Sequence, residues 1–232
     1  MVAAANGHEQ AVDALIEAGA DIHATDEEGG SALMLAAENG CAGAIRRLLT
    51  AGAQVDAAEE EDGWTALLFA AGAEIDTDDA EEQAAYLEAA RALIEAGANV
   101  NWADNSGTTP LMMAAYEWHT DTVSCLIDAG ANVHAANSDG WTALHYAAQG
   151  GCTAALRRLL DAGAHIDAAS NGGKTALMLA AENDAVDTVR CLLEAGANVH
   201  ATDAEGQTAL ALALAEESDE SAALLRQAGA QQ

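Results

Sequence analysis

Two short motifs recur along the chain with a common period of 33 residues, and no other feature restricts the fold as strongly. Gly-Ala pairs that close apolar segments begin at Gly19, Gly52, Gly97, Gly130, Gly163, Gly196 and Gly229. A second marker, Ser or Thr, then Ala or Pro, then Leu, begins at Ser31, Thr65, Thr109, Thr142, Thr175 and Thr208. Each series contains one long step, 45 residues from Gly52 to Gly97 and 44 from Thr65 to Thr109. Two independent markers sharing one period point to a repeat array.

A single unit, "DGWTALHYAAQGGCTAALRRLLDAGAHIDAAS", shows how each copy should fold. Thr142 is placed to cap a first helix running from Leu144 to Gln149, and Gly150 and Gly151 break it. A second helix over about 153–162 carries Leu156, Leu159 and Leu160, and Gly163 ends it in the left-handed conformation. The segment beyond turns back as a hairpin-like loop. Apolar residues make up 51% of the chain but aromatics only 3%, so the core must be thin and built from Ala and Leu. A unit this small cannot bury its apolar face alone and has to stack on its neighbours.

These motifs make the sequence resemble the ankyrin-repeat family over nearly its whole length. The resemblance rests on Thr109-Pro110-Leu111, on Thr142-Ala143-Leu144-His145, on the Ala pairs 36–37, 147–148 and 180–181, and on the Gly-Ala endings. It implies an all-α solenoid of helix-turn-helix units joined by hairpin-like loops. The implied organisation is one array over 1–232, with a partial repeat at 1–25 and repeats at 26–58, 59–103, 104–136, 137–169, 170–202 and 203–232. Only His145 fills the family's histidine place, where it is expected to bond a loop backbone. Met34, Leu68, Met112 and Met178 stand there in other repeats, which predicts weaker hydrogen bonding within those units.

The long step is an insertion of about 72–82 inside the repeat 59–103. "GAEIDTDDAEEQ" looks like another Gly-Ala ending, yet it begins only seven residues after Thr65, whereas the true ending is Gly97-Ala98. The economical reading keeps a first helix over 66–71. An acidic connection follows, and then a long second helix over 80–96 capped by Asp78 or Asp79, with Tyr86, Leu87, Ala90, Leu93 and Ile94 facing inward. Asp76, Asp78 and Glu82 are hard oxygen donors, but EF-hand spacing is absent, so a plain acidic loop is favoured over a calcium site.

Candidate partner-binding residues follow from where the scarce aromatics fall. Trp64 and Trp141 precede the Thr markers of their repeats, Trp102 lies on the hairpin of Thr108, and Trp118 stands beyond Tyr116 in a place normally held by glycine. The repeat itself requires none of these to be aromatic, and Trp is enriched among interface anchors. Asp62, Asp104 and Asp139, with Glu59, Glu60 and Glu61, add charge at the hairpin tips. The resemblance further implies that Asn101 sits where some family members are substrates of asparaginyl hydroxylation.

Catalysis and cofactors are not expected. His23, His134 and His200 occupy equivalent places with Asp56, Asn101 and Asp167 between them, and rungs about 10 Å apart cannot share a metal whose bonds are near 2 Å. "GGKT" at 172–175 lacks the spacing of a phosphate loop. Cys41, Cys125, Cys152 and Cys191 form no close pairs, which favours free thiols in a reducing, intracellular and cytoplasmic setting. A formal charge of −30 disfavours nucleic acid and anionic membrane as partners, and no apolar run is long enough for a membrane span. The expected function is a noncatalytic scaffold that binds a protein partner, one with a basic surface or another domain of a longer chain, through its concave face and hairpin tips. A regulatory segment of a larger enzyme or channel and an acidic mimic that sequesters a basic protein are the alternatives. Self-association through an uncovered face of the first repeat also fits.

Overall fold

The computed structural model of the chain describes residues 1–74 and 79–231. Among these residues the protein is all-α, built from paired helices, with no β-structure beyond isolated bridges such as Thr25 with Ser31. The pairs are α1 (Val2–Ala5) with α2 (Glu9–Glu17), α3 (Ala32–Glu38) with α4 (Ala42–Thr50), and α5 (Ala66–Ala71) with α6 (Ala80–Glu95). Then come α7 (Pro110–Tyr116) with α8 (Thr120–Asp128), α9 (Ala143–Gly150) with α10 (Thr153–Asp161), α11 (Ala176–Glu182) with α12 (Val186–Glu194), and α13 (Ala209–Ala215) with α14 (Asp219–Gln227).

The chain divides into two compact units, Met1–Leu111 with Asp128–Ala131 and Met112–Ile127 with Asn132–Gln232. In the first unit α1, α3 and α5 pack in a row, and α2, α4 and α6 form a second row. In the second unit α9, α11 and α13 form one row and α10, α12 and α14 the other. The stacking within each unit is that of a solenoid. Alanine pairs sit at the helix contacts without any exposure, among them Ala36-Ala37, Ala70-Ala71, Ala147-Ala148 and Ala180-Ala181. Having only a methyl group, they let short helices approach closely, and Ile45, Leu93, Leu156, Leu159 and Leu192 fill the space behind them.

Each sequence marker has a local physical cause. Ser31, Thr65, Thr175 and Thr208 are extended residues whose hydroxyls accept a backbone N–H three residues on, at 3.2–3.5 Å, which satisfies a donor the helix start leaves open. At the other end Gly163 follows α10 with φ of 91°. Its N–H donates to Leu160 O at 2.9 Å and that of Ala164 to Leu159 O at 3.0 Å. This is the Schellman closure, so glycine is needed at the left-handed residue and a small apolar residue follows. The same pair of bonds recurs at Gly19, Gly52, Gly97, Gly196 and Gly229.

The hairpin tips are held by the residue that opens each one. Asp104 Oδ1 accepts from the N–H groups of Ser106 and Thr108 at 2.9 and 2.7 Å. Asn137 accepts from Asp139 and Trp141 at 3.0 and 2.9 Å, and Asp203 from Glu205 and Gln207 at 3.1 and 2.8 Å. Glu59 does the same work with a longer side chain, accepting from Glu61, Asp62 and Trp64 at 2.6–2.9 Å. Burial opposes its ionisation, but the N–H donors of Trp64, Glu61, Asp62 and Gly63 outweigh that and hold the carboxyl below the usual range. Successive tips are then joined by backbone bonds, Asn105 N–H to Asp62 O and, in the second unit, Asn171 N–H to Asp139 O, both 2.8 Å.

In the enlarged repeat α5 covers Ala66–Ala71 and α6 starts at Ala80, while Asp76 and Asp78 of the acidic connection lie outside the described residues. Asp79 is the cap, accepting from Glu81 and Glu82 N–H at 2.9 and 3.1 Å. The helix is 16 residues long against nine for α4 and α10, so the insertion lengthens it at its start. The inward face is narrower than the sequence suggests: Ala89, Ala90, Ala92 and Leu93 are buried, and Tyr86, Leu87 and Ile94 only half so. Tyr86 lies across the preceding repeat, its hydroxyl donating to Glu38 O at the end of α3 at 2.9 Å.

Candidate functional site

The rows of helices leave their outward residues free to differ, and the aromatics sort there by exposure. Trp64 and Trp141 are half-buried because each meets an aromatic ring five residues on in its own repeat. Trp64 lies 5.1 Å from Phe69 at 64°, and Trp141 lies 5.4 Å from Tyr146 at 61°, both edge-to-face. The remaining repeats have Leu35, Met113, Leu179 or Leu212 at the place of Phe69 and Tyr146. Trp102 is also half-buried, its indole N–H donating to Gly63 O at 3.0 Å. These three tryptophans therefore spend part of their surface holding their own unit.

Tyr116 and Trp118 are different, with 44% and 50% of their surface exposed. Tyr116 meets Tyr146 edge-to-face at 6.0 Å, so Tyr146 connects it to Trp141. The row Trp141, Tyr146, Tyr116 belongs entirely to the second unit. Tyr146 is the member that reading by marker positions missed, although its spacing of five from Trp141, matched by Trp64 and Phe69, is a usable signal. Its hydroxyl accepts from Asn137 Nδ2 at 3.0 Å, which ties the row to the hairpin tip.

Trp118 sits in the turn between α7 and α8 with φ of 65°, a conformation unfavourable for a bulky side chain. Equivalent turn residues are Gly7, Gly40 and Gly151, with Asp184 and Glu217 further along, all at positive φ. The indole lies over the next repeat: a methyl group on Gly150 would come within 3.0 Å of Trp118 Nε1 and 3.1 Å of Tyr116 O. Where related turns carry Asn39 or Asn183, this one needs Gly150 to admit the ring.

The acidic candidates divide in the same way. Asp62 and Asp139 are exposed at their tips, and their backbone carbonyls accept from the next hairpin. Asp104 is occupied in holding its tip. Asn101 is exposed, and its side-chain amide donates to Gly130 O at 3.3 Å.

His145 is fully buried and bonds to a loop, as its place implies. Nδ1 accepts from Thr142 N–H at 3.1 Å and Nε2 donates to Lys174 O at 3.1 Å, which sets the neutral tautomer. Burial lowers its pKa, partly offset by the backbone bonds to Lys174 and Ala168. Methionine takes over the acceptor role elsewhere: Met34 Sδ accepts from Ser31 N–H at 3.3 Å and Met178 Sδ from Thr175 N–H at 3.4 Å. A thioether is a weak acceptor, so the exchange keeps the helix start but drops the bond to the neighbouring loop. The Lys174 ammonium binds both oxygens of Glu182 at 2.8 and 2.6 Å.

In the first unit a shallow groove of about 600 Å3 runs between α2 and α4, where Arg47 pairs with Glu9 and Asp13. The four cysteines are free thiols. Among the described residues no three His, Cys, Asp or Glu side chains come together as metal ligands, and no helix is long and apolar enough to cross a membrane.

A family model described as "Ankyrin repeats (3 copies)" matches residues 1–77, 80–170 and 155–232. No curated protein matches the chain. Proteins of this family are typically noncatalytic scaffolds that mediate protein–protein interactions. With the paired helices, the capped starts, the Gly-Ala closures and the buried His145 in place, the family match covers nearly every residue, and the chain belongs to the ankyrin-repeat family.

Proposed function

We propose that this chain is a noncatalytic scaffold that holds a protein partner, and that in the second unit the partner seats on Trp141, Tyr146, Tyr116 and Trp118. The observation that carries this reading is Trp118. Its backbone conformation costs about 1–2 kcal/mol for a residue with a side chain, and the ring it supports leaves half its surface in water. Outliers of this kind collect at functional positions. Tyr116 is exposed beside it, and the two together offer rigid rings of the type that anchor interfaces.

A basic partner surface is part of the proposal, supported by the net charge of −30 and by the exposed Asp139 two residues before Trp141. In the first unit the half-buried Trp64 and Trp102, with the exposed Asp62, form a contact area of lesser weight. An intracellular location is proposed as well, supported by the four free thiols. The test is to identify a partner by proximity labelling and then measure its affinity by calorimetry. Tyr116→Ala with Trp118→Ala should weaken binding by roughly 30-fold or more, since anchors of this type are worth about 2 kcal/mol, while helicity is retained. Undiminished affinity in that double variant, with loss in Trp64→Ala instead, refutes the assignment. Affinity for a basic partner should also fall as salt rises, and a flat response removes the charge component.

A further inference from the structure

We propose that His134 and His165 form a two-histidine site for a divalent transition-metal ion on the hairpin loops of adjacent repeats in the second unit. Both imidazoles are exposed, and their ring centroids lie 4.4 Å apart with the planes inclined by 32°. The two residues are not equivalent places in the repeat. His165 stands two residues before Asp167, the counterpart of His134, and the offset of 31 residues is what brings the rings together.

Two nitrogens bound to one ion at about 2.0–2.1 Å lie about 3 Å from each other. Ring nitrogens stand close enough to their centroids for side-chain rotation alone to reach that separation from 4.4 Å. The backbones beneath are fixed already. His134 N–H donates to Asn132 Oδ1 at 3.0 Å, and His165 O accepts from Ala168 N–H at 3.1 Å. The field is favourable to a cation, because His165 follows the carbonyl end of α10 and has Asp161 and Asp167 near it in sequence.

Imidazole ligands select ions of borderline softness such as Ni2+, Cu2+ and Zn2+. With no third protein ligand gathered among the described residues, water completes the coordination shell and the site stays open to solvent. An ion there adds a side-chain link between two hairpins whose tips are already joined by Asn171 N–H to Asp139 O, so its binding stabilises the second unit by mass action.

Titration with Ni2+, which is less thiophilic than Zn2+, tests this by calorimetry and thermal unfolding at mildly alkaline pH. One ion should bind per chain and raise the unfolding midpoint. His134→Gln and His165→Gln should each weaken binding on the order of a hundredfold by removing one arm of the chelate, whereas His23→Gln with His200→Gln should leave it unchanged. Absence of saturable binding overturns the proposal. So does binding that persists in both single variants, or binding lost on thiol alkylation alone.

Discussion

Replacing Trp118 with glycine and, separately, with alanine separates the ring's contribution from the backbone's. Trp118 buries half its surface, so either change removes roughly 100 Å2 of contact, worth about 2–3 kcal/mol at most. That loss is common to both variants and cancels in their difference. What remains is the left-handed backbone at φ of 65°, which costs alanine about 1–2 kcal/mol and glycine nothing. Glycine's greater freedom in the unfolded chain returns about 0.4–1 kcal/mol to alanine. Trp118→Gly should therefore be more stable than Trp118→Ala by about 0.5–1 kcal/mol, the reverse of their order inside a helix. Relative to the parent, the glycine variant should lose about 1.5–2 kcal/mol, because relief of strain, less glycine's entropy cost, offsets part of the lost contact. Urea unfolding followed by circular dichroism measures both differences, provided the m-values agree so that the same surface is exposed. Equal stability of the two variants, or a more stable alanine, refutes the claim that the turn is strained.

Two further predictions concern pH. Burial depresses the pKa of His145, so between about 6.5 and its lower folded value the unfolded chain binds the proton first, and the second unit loses stability as pH falls through that window. His145→Met, which copies Met34 and Met178, should remove this component of the slope and cost about 1–2 kcal/mol at neutral pH through the freed Lys174 carbonyl; an unchanged slope in denaturant titrations from pH 5 to 8 would place the titration elsewhere. Glu59 is held ionised by four N–H groups, so its contribution is present above about pH 4.3 and lost as pH falls through its depressed value. Glu59→Gln should weaken the tip by about 1 kcal/mol at neutral pH and flatten the acid limb, read from hydrogen exchange of the Trp64 and Asp62 amides.

The parts of this molecule that depend on one repeat at a time were legible in the sequence. Thr65, Asp79 and Gly97 mark three boundaries of the enlarged repeat because capping bonds reach only two to five residues, and local chemistry fixes them. Ranking the aromatics was not legible from their places alone. Trp64, Trp102 and Trp141 look like free surface until Phe69, Gly63 and Tyr146 are seen against them. Nor does comparing equivalent positions find His134 and His165, since the rings meet across an offset of two residues. The methionines show a third case, where a residue that breaks the family pattern still fills part of the hydrogen-bonding role through its sulfur.

The hairpin tips carry a practical consequence. Because Asn137 and Asp203 each fold a tip from its first position, the residues they enclose, such as Asp139 and Glu205, hold the tip through backbone N–H groups that any amino acid but proline supplies. Those positions can be randomised together in a display library while the opening residue is held constant. Selection from such a library would then report on recognition and not on folding.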